Sequence, residues 1–436
     1  MTAKAYQSQE DMMQLSEVKP LNPQNYYRMP WSLSDNGIFW LEVTSQCNLT
    51  CEGCYHENIK GAHKSLADIE EEFKVIKEQR KVDSVSIAGG DPLLHPQILD
   101  IVKMVRRYGW KPIMNTNGLA ITPELLKDLK KAGVFGFTFH IDTTQKRNDS
   151  MAKTEVEHIK LRQRLAEMVA KEGGMVCGFN QTVSEQTIEE IPEIVRWAEQ
   201  YPDMINTIVF ILFRTPGMSA NFDFYALGKK VDLYESYIPT KWGGELNLKA
   251  HHVVAKIRET DPLYEPAGYL NGTIEANEMK WTLATRIANR KKTFGYTSPK
   301  FMEFVQNFHH RWYGTWLSYA APALLHAGRS TLLFLGWGDK QMRKSLFRFL
   351  TTPSAWFGKV YMQNFAIIQP VDLQPDGRMS MCDSCPDITV HEGKLYWSCR
   401  LEEIKKFGTF VTAVPKSGKI ETPAKAESAK VGAGAR

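Results

Sequence analysis

Short apolar runs alternate with amphipathic helical patterns between Ile38 and about Phe210. The runs are too short for helices and are rich in β-branched and aromatic residues, so each predicts a β-strand. The predicted strands are Ile38–Val43, Ser84–Ala88, Pro112–Thr116, Gly136–Ile141, Met175–Val183 and Ile205–Phe210. Strands that alternate with helices in this way form a parallel sheet with right-handed crossovers. The pattern therefore predicts an α/β protein.

The segments between these strands carry helix patterns with recognisable ends. The predicted helices begin near Leu66, Ile98, Pro123, Lys153 and Glu189. Ser65 followed by Asp68 predicts a capping box at the start of the first helix. Thr122 and Pro123 predict the start of the third helix, and Gly133 predicts its end.

The alternation stops after Phe210, and the next part of the chain differs. Residues 211–300 give weak signals, whereas residues 301–361 are strongly apolar and aromatic. Two interpretations of this block stay open, an interfacial membrane element and a buried helical subdomain. The uncharged stretch 312–328 contains Pro322 and is shorter than the ~20 residues of a spanning helix, so no transmembrane span is expected. A basic border follows it: Lys340, Arg343, Lys344 and Arg348.

Length and composition define the expected domains. The chain has 436 residues, 43% of them hydrophobic, which exceeds one ordinary domain. Its net charge of +5 does not demand a nucleic-acid partner. No signal segment is visible, so we expect a cytoplasmic protein, either free or peripheral at the inner membrane face. The predicted organisation is an N-terminal extension at 1–37, a sheet domain at 38–210, an insertion or substrate region at 211–360, a cysteine-rich region at 361–410 and a disordered tail at 411–436.

The cysteines form two clusters and one isolated residue, a distribution typical of metal ligation rather than disulfides. The first cluster, Cys47, Cys51 and Cys54, directly follows the first predicted strand. Its three thiolates fall one short of the four that a four-iron, four-sulfur cluster normally takes, so one iron would stay open. A structural zinc site is the alternative, with His56 or His63 as its fourth ligand.

Glycine and polar residues mark the ends of the later predicted strands. Gly89, Gly90 and Asp91 follow the second strand, Asn117 the third and Asp142 the fourth, and Asn180 lies in the fifth. Glycines let the backbone approach a ligand closely. The carboxyl ends of parallel strands lie at the same end of the sheet. We therefore expect these residues to surround one opening there, which we call the mouth. Each polar residue could instead cap a helix or turn.

These motifs together resemble the radical S-adenosylmethionine (SAM) superfamily. There the open iron binds SAM, and reductive cleavage gives a deoxyadenosyl radical that abstracts hydrogen from a substrate. The resemblance implies a partial (βα)6 TIM-like barrel with an added, mainly helical apolar insertion. It also implies a SAM site that includes Tyr55, Gly89, Gly90, Asp91, Asn117, Asp142 and Asn180. The chain departs from the family at Gly53, where an aromatic residue commonly precedes the third cysteine. No catalytic residue is identified.

The second cluster, Cys382, Cys385 and Cys399, flanks a predicted hairpin that turns at Glu392-Gly393. It resembles the SPASM or Twitch auxiliary-cluster region of radical SAM enzymes, and a second iron–sulfur cluster is favoured over zinc. The fourth ligand stays open among Asp383, Asp387, His391, Cys177 and the substrate. Cys177 lies in an apolar strand and is expected in the core. The histidine pairs 251–252 and 309–310 are expected to be packing or surface residues.

The layout is closest to that of lipid-modifying radical SAM enzymes. The apolar block with its basic border suits a long hydrophobic substrate taken from a membrane. We therefore expect hydrogen abstraction from an unactivated C–H of a lipid or isoprenoid, with flavodoxin or ferredoxin as electron donor. The alternatives are modification of a ribosomal peptide, and SAM-derived methylation or nucleoside or pterin modification.

Overall fold

The computed structural model describes residues 17–54, 56–214, 221–233 and 248–416. Its strands are β1 (Tyr27–Arg28), β2 (Ile38–Thr44), β3 (Ser84–Gly89), β4 (Lys111–Thr116), β5 (Gly136–His140), β6 (Val176–Val183), β7 (Thr207–Leu212), β8 (Phe222–Ala226), β9 (Lys229–Val231), β10 (Gly268–Asn271), β11 (Met279–Ala288), β12 (Thr293–Tyr296), β13 (Tyr361–Ile368), β14 (Asp372–Leu373), β15 (Met379–Ser380), β16 (Ile388–His391), β17 (Lys394–Trp397) and β18 (Thr412–Pro415). The helices are α1 (Leu66–Gln79), α2 (Ile98–Arg107), α3 (Pro123–Ala132), α4 (Ile159–Glu172), α5 (Ile191–Gln200), α6 (Ala250–Thr260), α7 (Pro299–Tyr313), α8 (Pro322–Leu325), α9 (Gly328–Leu335), α10 (Lys340–Leu350) and α11 (Leu401–Phe407).

Strands β2 to β7 lie side by side in chain order and pair in parallel. They correspond to the six predicted strands, so the predicted parallel α/β barrel-like fold is confirmed. The sheet then continues beyond β7 through β13, β11, β10 and β1, to eleven strands in all with β12. Strand β13 is parallel to β7, and β11 is antiparallel to β13.

The helix ends follow the predicted capping chemistry. The Ser65 hydroxyl accepts from the Asp68 amide and the Asp68 carboxylate accepts from the Ser65 amide, which forms the predicted capping box. Gly133 ends α3 with a φ of 101°. Helix α4 begins at Ile159 rather than Lys153, because Glu155 turns inward to accept from the Thr143 amide (2.7 Å).

Alternate residues of the parallel strands face opposite sides. One side is apolar and packs against the helices, as where Phe39 of β2 meets Phe73 of α1 edge to face (6.3 Å between centroids). The other, inner side carries smaller and more polar residues on β3 to β6: Ser86, Asn115, Thr138 and Asn180. Many inner-facing side chains are only half-buried, so the inner side is open to a ligand.

The region predicted as a mainly helical insertion at 211–360 requires a correction. It contributes β10, β11 and β12 to the central sheet, and β8 and β9 to a separate sheet with β18. These strands lie where the local sequence signals are weak. Neighbouring strands pair with one another here, whereas the pairing of β11 with β13 and of β8 with β18 joins segments far apart in the chain. The helices of this region are α6 and the consecutive helices from α7 to α10.

The apolar block, residues 301–361, lies at the end of the sheet where the parallel strands begin. The Ser318 hydroxyl donates to the Asp83 carboxylate (2.8 Å) just before β3, and Lys111 at the start of β4 donates to the Tyr319 carbonyl (3.0 Å). Leu325 packs on Ile113 and Val176, near the starts of β4 and β6. Within the described residues, no helix is long and apolar enough to cross a membrane.

Both chain ends depart from the expected organisation. Strand β1, within the predicted N-terminal extension, pairs with β10 at the edge of the central sheet. The predicted tail at 411–436 is wrong for its first residues, because β18 pairs with β8 and Val411 and Ala413 are buried there. Residues 1–16 and 417–436 lie outside the described residues.

Candidate functional site

The three cysteines of the first cluster occupy the loop that follows β2, at the edge where the parallel strands end. Burial raises the pKa of the Cys51 thiol, and the charges of Cys54, Asp142 and Cys47 raise it further. Burial also raises the pKa of Cys54 to about 11. The three thiols are therefore near enough to one another to interact electrostatically. A bound cation would stabilise their thiolate forms, because opposite charge favours ionisation.

The glycine turn packs directly on the cysteine loop. A Cβ at Gly90 would lie 2.3 Å from the Gln46 carbonyl oxygen, and one at Gly89 would lie 2.2 Å from the Thr44 carbonyl oxygen. The Gly90 amide donates to Thr44 (2.8 Å), and the Asp91 amide donates to Gln46 (2.8 Å). Any side chain here would push the two loops apart, so the turn requires glycine.

Asp91 is fully buried and fixes the end of β4 against the glycine turn. Its carboxylate accepts from the Thr116 hydroxyl (2.8 Å), the Asn117 amide (2.9 Å) and the Leu93 amide (3.0 Å). Burial raises the pKa of Asp91 above its ordinary value, although these hydrogen bonds oppose the shift. Asp91 therefore supports the residues that surround the mouth and is itself buried behind them.

Asn117 connects the end of β4 to the cysteine loop. Its Nδ2 donates to Asn48 Oδ1 (2.7 Å) and lies 3.8 Å from Cys47 Sγ. Arg147, which the sequence analysis did not single out, donates to the Asn117 carbonyl (2.9 Å) and to Gln145 Oε1 (3.0 Å). Arg147 follows the end of β5 by seven residues, and no motif marks it.

Asp142 is fully buried beyond the end of β5. Its carboxylate accepts from the Thr144 hydroxyl (2.5 Å) and the Thr182 amide (3.0 Å) and pairs with His140 Nε2 (2.7 Å). Burial alone would raise the pKa of Asp142, but the charge of His140 and these hydrogen bonds hold it well below its ordinary range. Burial lowers and Asp142 raises the pKa of His140, and the net shift is upward.

Two amide side chains on the inner face have polar atoms without a hydrogen-bond partner in the described structure. They are Asn180 Oδ1 and Asn115 Nδ2, and both atoms are shielded from solvent. Buried polar atoms are normally hydrogen-bonded. These two atoms are therefore suited to contact a bound ligand. Tyr55, the remaining predicted SAM-site residue, lies outside the described residues.

These features fit an iron–sulfur cluster and SAM. The three interacting thiols can hold a cluster. The glycine turn lets backbone groups approach a ligand, and two unpartnered amide atoms lie on the inner face of the sheet. Gly89, Gly90, Asn117 and Asn180 line this mouth, while Asp91 and Asp142 lie behind it. All of these residues belong to strand ends of β2 to β6 or to the loops that follow.

The second cysteine cluster lies between β2 and β10, near the two ends of the sheet order. We call this junction the seam of the sheet. Cys382 pairs by its backbone with Gly272 after β10, and the Asp383 amide donates to Asn271 (2.8 Å). On the other side of the seam, Arg80 donates to the Cys385 carbonyl (2.8 Å). The cysteine loop thus joins two strands that are eight positions apart in the sheet order.

Cys382, Cys385 and Cys399 form one group with Asp387, in which Cys382 and Cys385 are buried and Cys399 and Asp387 are half-buried. The thiol of Cys385 interacts with Cys382, Asp387 and Cys399, and its pKa is raised by the Cys382 hydrogen bond and by burial. Burial raises the pKa of Asp387 to about 7, opposed by the charge of Arg80. The predicted hairpin is present as β16 and β17, with Glu392 and Gly393 at positive φ in the turn.

The structure separates the fourth-ligand candidates. Asp383 pairs with Arg28 (2.5 Å), and His391 Nε2 lies 4.0 Å from the Glu392 carboxylate. Cys177 is buried in the apolar core of the central sheet, where burial alone raises its pKa. Asp387 is the candidate side chain that interacts with both Cys385 and Cys399.

The two histidine pairs have structural partners. His310 Nε2 pairs with Asp35 (2.7 Å) and His309 Nδ1 with the Thr315 carbonyl (2.7 Å), at the edge opposite the mouth. His252 Nδ1 accepts from the Lys249 amide (3.0 Å) at the start of α6, and the His251 ring lies against it (4.1 Å).

Comparison with known proteins identifies the family of the central domain. Residues 41–198 match the model of the radical SAM superfamily. A tungsten-containing aldehyde ferredoxin oxidoreductase cofactor-modifying protein of Pyrococcus furiosus is 26% identical over 36% of this chain and 47% of its own length. A probable GTP 3',8-cyclase of Methanococcus maripaludis is 26% identical over 40% and 58%. An AdoMet-dependent heme synthase of Methanosarcina barkeri is 24% identical over 40% and 50%.

The chain thus spans about half the length of the curated relatives it matches. Among solved structures, Streptococcus suis SuiB bound to S-adenosylmethionine is 19% identical, covers 49% of this chain and 48% of its own, and has a TM-score of 0.34. The protein anSMEcpe with bound AdoMet is 16% identical over 51% and 59%, with a TM-score of 0.37. Likenesses this weak establish no shared function.

Enzymes of the radical SAM superfamily use a four-iron, four-sulfur cluster and SAM. The matched segment contains the cysteine loop, the glycine turn, and the ends of β4, β5 and β6. Residues 41–198 of this chain thus form a domain that matches the radical SAM superfamily.

Proposed function

We propose that this chain cleaves SAM reductively and abstracts hydrogen from an unactivated C–H bond of a lipid or isoprenoid. The observation that carries the radical chemistry is the close group of Cys47, Cys51 and Cys54 under the glycine turn. When bound, the cluster and SAM supply the electron and the deoxyadenosyl radical that performs the abstraction. The electron donor is proposed to be a flavodoxin or ferredoxin.

The chain's own residues would hold and orient SAM. Backbone groups at Gly89 and Gly90 are close enough to the cysteine loop to contact the methionyl part. Asn117 and the unpartnered Asn180 amide would donate to or accept from the ribose and carboxylate groups of SAM. Asp142 keeps His140 oriented at the rim of the mouth, as a positioning residue.

The inner face of the sheet supports an apolar substrate on one side. Toward the ends of β7 and β13 the inward positions are Val209, Ile211, Ala366 and Ile368, whereas the inward pair near the strand starts, Thr207 and Asn364, is polar. Ile211 and Ile368 are half-buried rather than buried, so a ligand can reach them. Burying an alkyl chain there would be favourable at about 25 cal/mol per Å².

A second candidate substrate is a nucleoside- or pterin-like heterocycle. The inner face of β3 to β6 is polar, and the unpartnered Asn115 and Asn180 amide atoms suit hydrogen bonds with such a ring. The relative named a probable GTP 3',8-cyclase agrees with this class.

Anaerobic reconstitution with iron and sulfide tests the radical chemistry. Addition of SAM and dithionite is expected to yield 5'-deoxyadenosine, measured by mass spectrometry. Cys51→Ala is expected to abolish the product, while Cys177→Ala, a cysteine outside both clusters, is expected to retain it. If only zinc binds Cys47, Cys51 and Cys54, or if Cys51→Ala leaves the yield unchanged, the proposal is wrong.

Incubation with candidate substrates then separates the two classes. Perdeuterated isoprenoid lipid and deuterated GTP are supplied separately, and deuterium in the 5'-deoxyadenosine is measured. Label from the lipid alone supports the proposed substrate. Label from GTP alone would instead support a nucleoside- or pterin-like heterocycle as the substrate.

A further inference from the structure

Helices α9 and α10 and the turn that follows carry large apolar side chains toward solvent. We call this surface the α9–α10 face. Its exposed apolar residues are Leu333, Phe334, Leu335, Trp337, Phe347, Leu350, Trp356 and Phe357. Phe334 is 80% exposed and Phe357 is 94% exposed. Proteins rarely leave this much apolar surface in water, so the face requires a partner.

The face belongs to one packed unit. Leu332 of α9 and Leu346 and Phe349 of α10 are buried together beneath it. The Trp356 indole donates to the Leu350 carbonyl (3.1 Å), and Arg329 donates to the Trp356 carbonyl (2.9 Å). These bonds hold the end of α10, the turn and the start of α9 together, so the exposed rings are presented from a fixed support.

Unpaired positive charge surrounds these apolar residues. Residues 299–359 contain eight Lys or Arg and two Asp or Glu, a surplus of +6, whereas the whole chain has +5. The exposed cations of the face are Arg329, Lys340, Arg343, Lys344 and Lys359. None of them forms an ion pair with another residue in the described part of the chain. Elsewhere exposed lysines do pair, as Lys103 does with Asp100 (3.1 Å).

The acidic residues of this segment do not neutralise the face. Asp339 caps α10, where it accepts from the Gln341 amide (2.8 Å) and bonds to Ser298. Glu303 lies on α7, outside the face. The face therefore combines aromatic rings and cations without acidic residues in its exposed surface.

We propose that the α9–α10 face binds the surface of an anionic phospholipid membrane. Tryptophan and phenylalanine side chains are suited to the boundary between headgroups and acyl chains, and lysine and arginine to the phosphates. The proposal goes beyond the radical chemistry and does not depend on it.

The charge pattern disfavours a second copy of this chain as the partner. A two-fold interface places the same patch of each copy against the other. Five cations would then face five cations with no carboxylate on the face to pair with them. Like charges brought together across an interface weaken it strongly.

Vesicle sedimentation tests the proposal with the full-length chain. We expect binding to phosphatidylcholine vesicles that contain about one third phosphatidylglycerol, and much weaker binding to pure phosphatidylcholine. The variant Arg343→Gln/Lys344→Gln should bind anionic vesicles roughly 20- to 30-fold more weakly, because each cation near an anionic surface contributes about five-fold. Phe334→Ser/Trp337→Ser/Phe357→Ser should lose binding to both vesicle types.

A matched control removes exposed apolar residues elsewhere. Met151 and Leu227 are 91% and 78% exposed and lie outside the face, so Met151→Ser/Leu227→Ser should bind vesicles as the parent does. Far-UV circular dichroism checks that each variant is folded. If the parent fails to sediment with anionic vesicles, the proposal is wrong. It is equally wrong if the triple variant abolishes a concentration-dependent dimer and not vesicle binding.

The outcome is independent of the proposed enzymatic function. Vesicle binding is measured without SAM or reductant, and 5'-deoxyadenosine formation is measured without vesicles. Loss of one result therefore leaves the other intact.

Discussion

Single side chains at the mouth divide into those that face the ligand space and those that support them. Asn180 and Asn115 have unpartnered amide atoms toward the inner face. Asp91 and Asp142 are fully buried, and both oxygens of each carboxylate accept protein hydrogen bonds. A carboxylate held in this way fixes the neighbouring loops.

Replacing Asp142 by asparagine is expected to destabilise the protein in a pH-dependent way. The variant loses charge-assisted hydrogen bonds, which we estimate at about 2 kcal/mol because His140 is 37% exposed and water screens the pair. The pKa of His140 is raised in the folded state, so the pair contributes fully below the ordinary value of 6.5 and its contribution falls as pH rises through the raised pKa.

Urea unfolding at pH 6 and pH 8.5 measures this effect. The loss should be larger at pH 6, and the NMR titration of His140 should shift to lower pH in the variant. Asp128→Asn removes an exposed carboxylate that pairs with Lys131 and should change stability by less than about 0.5 kcal/mol. An equal loss at both pH values would contradict the assigned role of the pair.

Replacing Gly90 by alanine is expected to disturb the first cluster. The new Cβ would lie 2.3 Å from the Gln46 carbonyl oxygen, so the cysteine loop must move. Such overpacking costs about 1 to 3 kcal/mol. Reconstituted iron should fall toward the amount retained by Cys51→Ala.

Gly358→Ala provides the matched comparison for this substitution. Its Cβ would meet its nearest neighbour at 3.7 Å, an ordinary contact. Iron content should match the parent. Normal iron content in Gly90→Ala would show that the turn tolerates a side chain.

At the scale of elements, the cysteine-rich loop acts as a bridge across the seam of the sheet. Arg80, at the end of α1, is buried and donates to carbonyl groups of Leu33 (2.7 Å), Ile38 (3.1 Å) and Cys385 (2.8 Å). One guanidinium thus joins the segment before β2, β2 itself and the second cluster. Burial lowers the pKa of Arg80 to about 10, so it stays charged near neutrality.

Arg80→Met is expected to weaken the second cluster while sparing the first. Three carbonyl groups, two of them buried, would lose their donor, at a cost of about 3 kcal/mol. Metal bound by Cys382, Cys385 and Cys399 should be released to a chelator faster than in the parent. Arg107→Met, at an exposed arginine, should leave the release rate unchanged. Equal rates in Arg80→Met and the parent would contradict this account.

Local pattern predicted the elements that are built from neighbouring segments. Strands β2 to β7 and their helices follow one another in space as in sequence, and their ends carry local capping signals such as Ser65 and Gly133. Strands β10, β11 and β13 were not predicted. The first two lie in a segment with weak local signals, and β13 pairs only with strands that are distant in the chain. The site was predictable as far as residue spacing defines it. Arg147 and Asp387 become significant only through contacts that folding creates.

At the scale of the whole molecule, the two ends of the parallel strands carry different features. The cysteine loop and glycine turn lie where the parallel strands end, and the apolar block lies where they begin. Asp83 joins the block to the sheet, since it accepts from Lys111 (2.8 Å) and from the Ser318 hydroxyl (2.8 Å). A substitution at one end of the strands is therefore expected to leave the other end unchanged.

Asp83→Asn is expected to loosen the apolar block without affecting the mouth. Loss of the charge weakens the bonds to Lys111 and Ser318, so amide hydrogen exchange in residues 315–326 should accelerate about ten-fold, equivalent to ~1.4 kcal/mol. Formation of 5'-deoxyadenosine should stay close to that of the parent. Unchanged exchange in this segment, or loss of SAM cleavage, would contradict the separation.

A strand of six residues, the length of β3, spans about 20 Å. A molecule resting on a bilayer by the α9–α10 face would hold its radical chemistry at that height, on the aqueous side. An electron-carrying protein could then dock without competing with lipid. A hydrocarbon substrate would have to be extracted from the leaflet and travel the depth of the sheet before reaction, and its product would have to make the return journey.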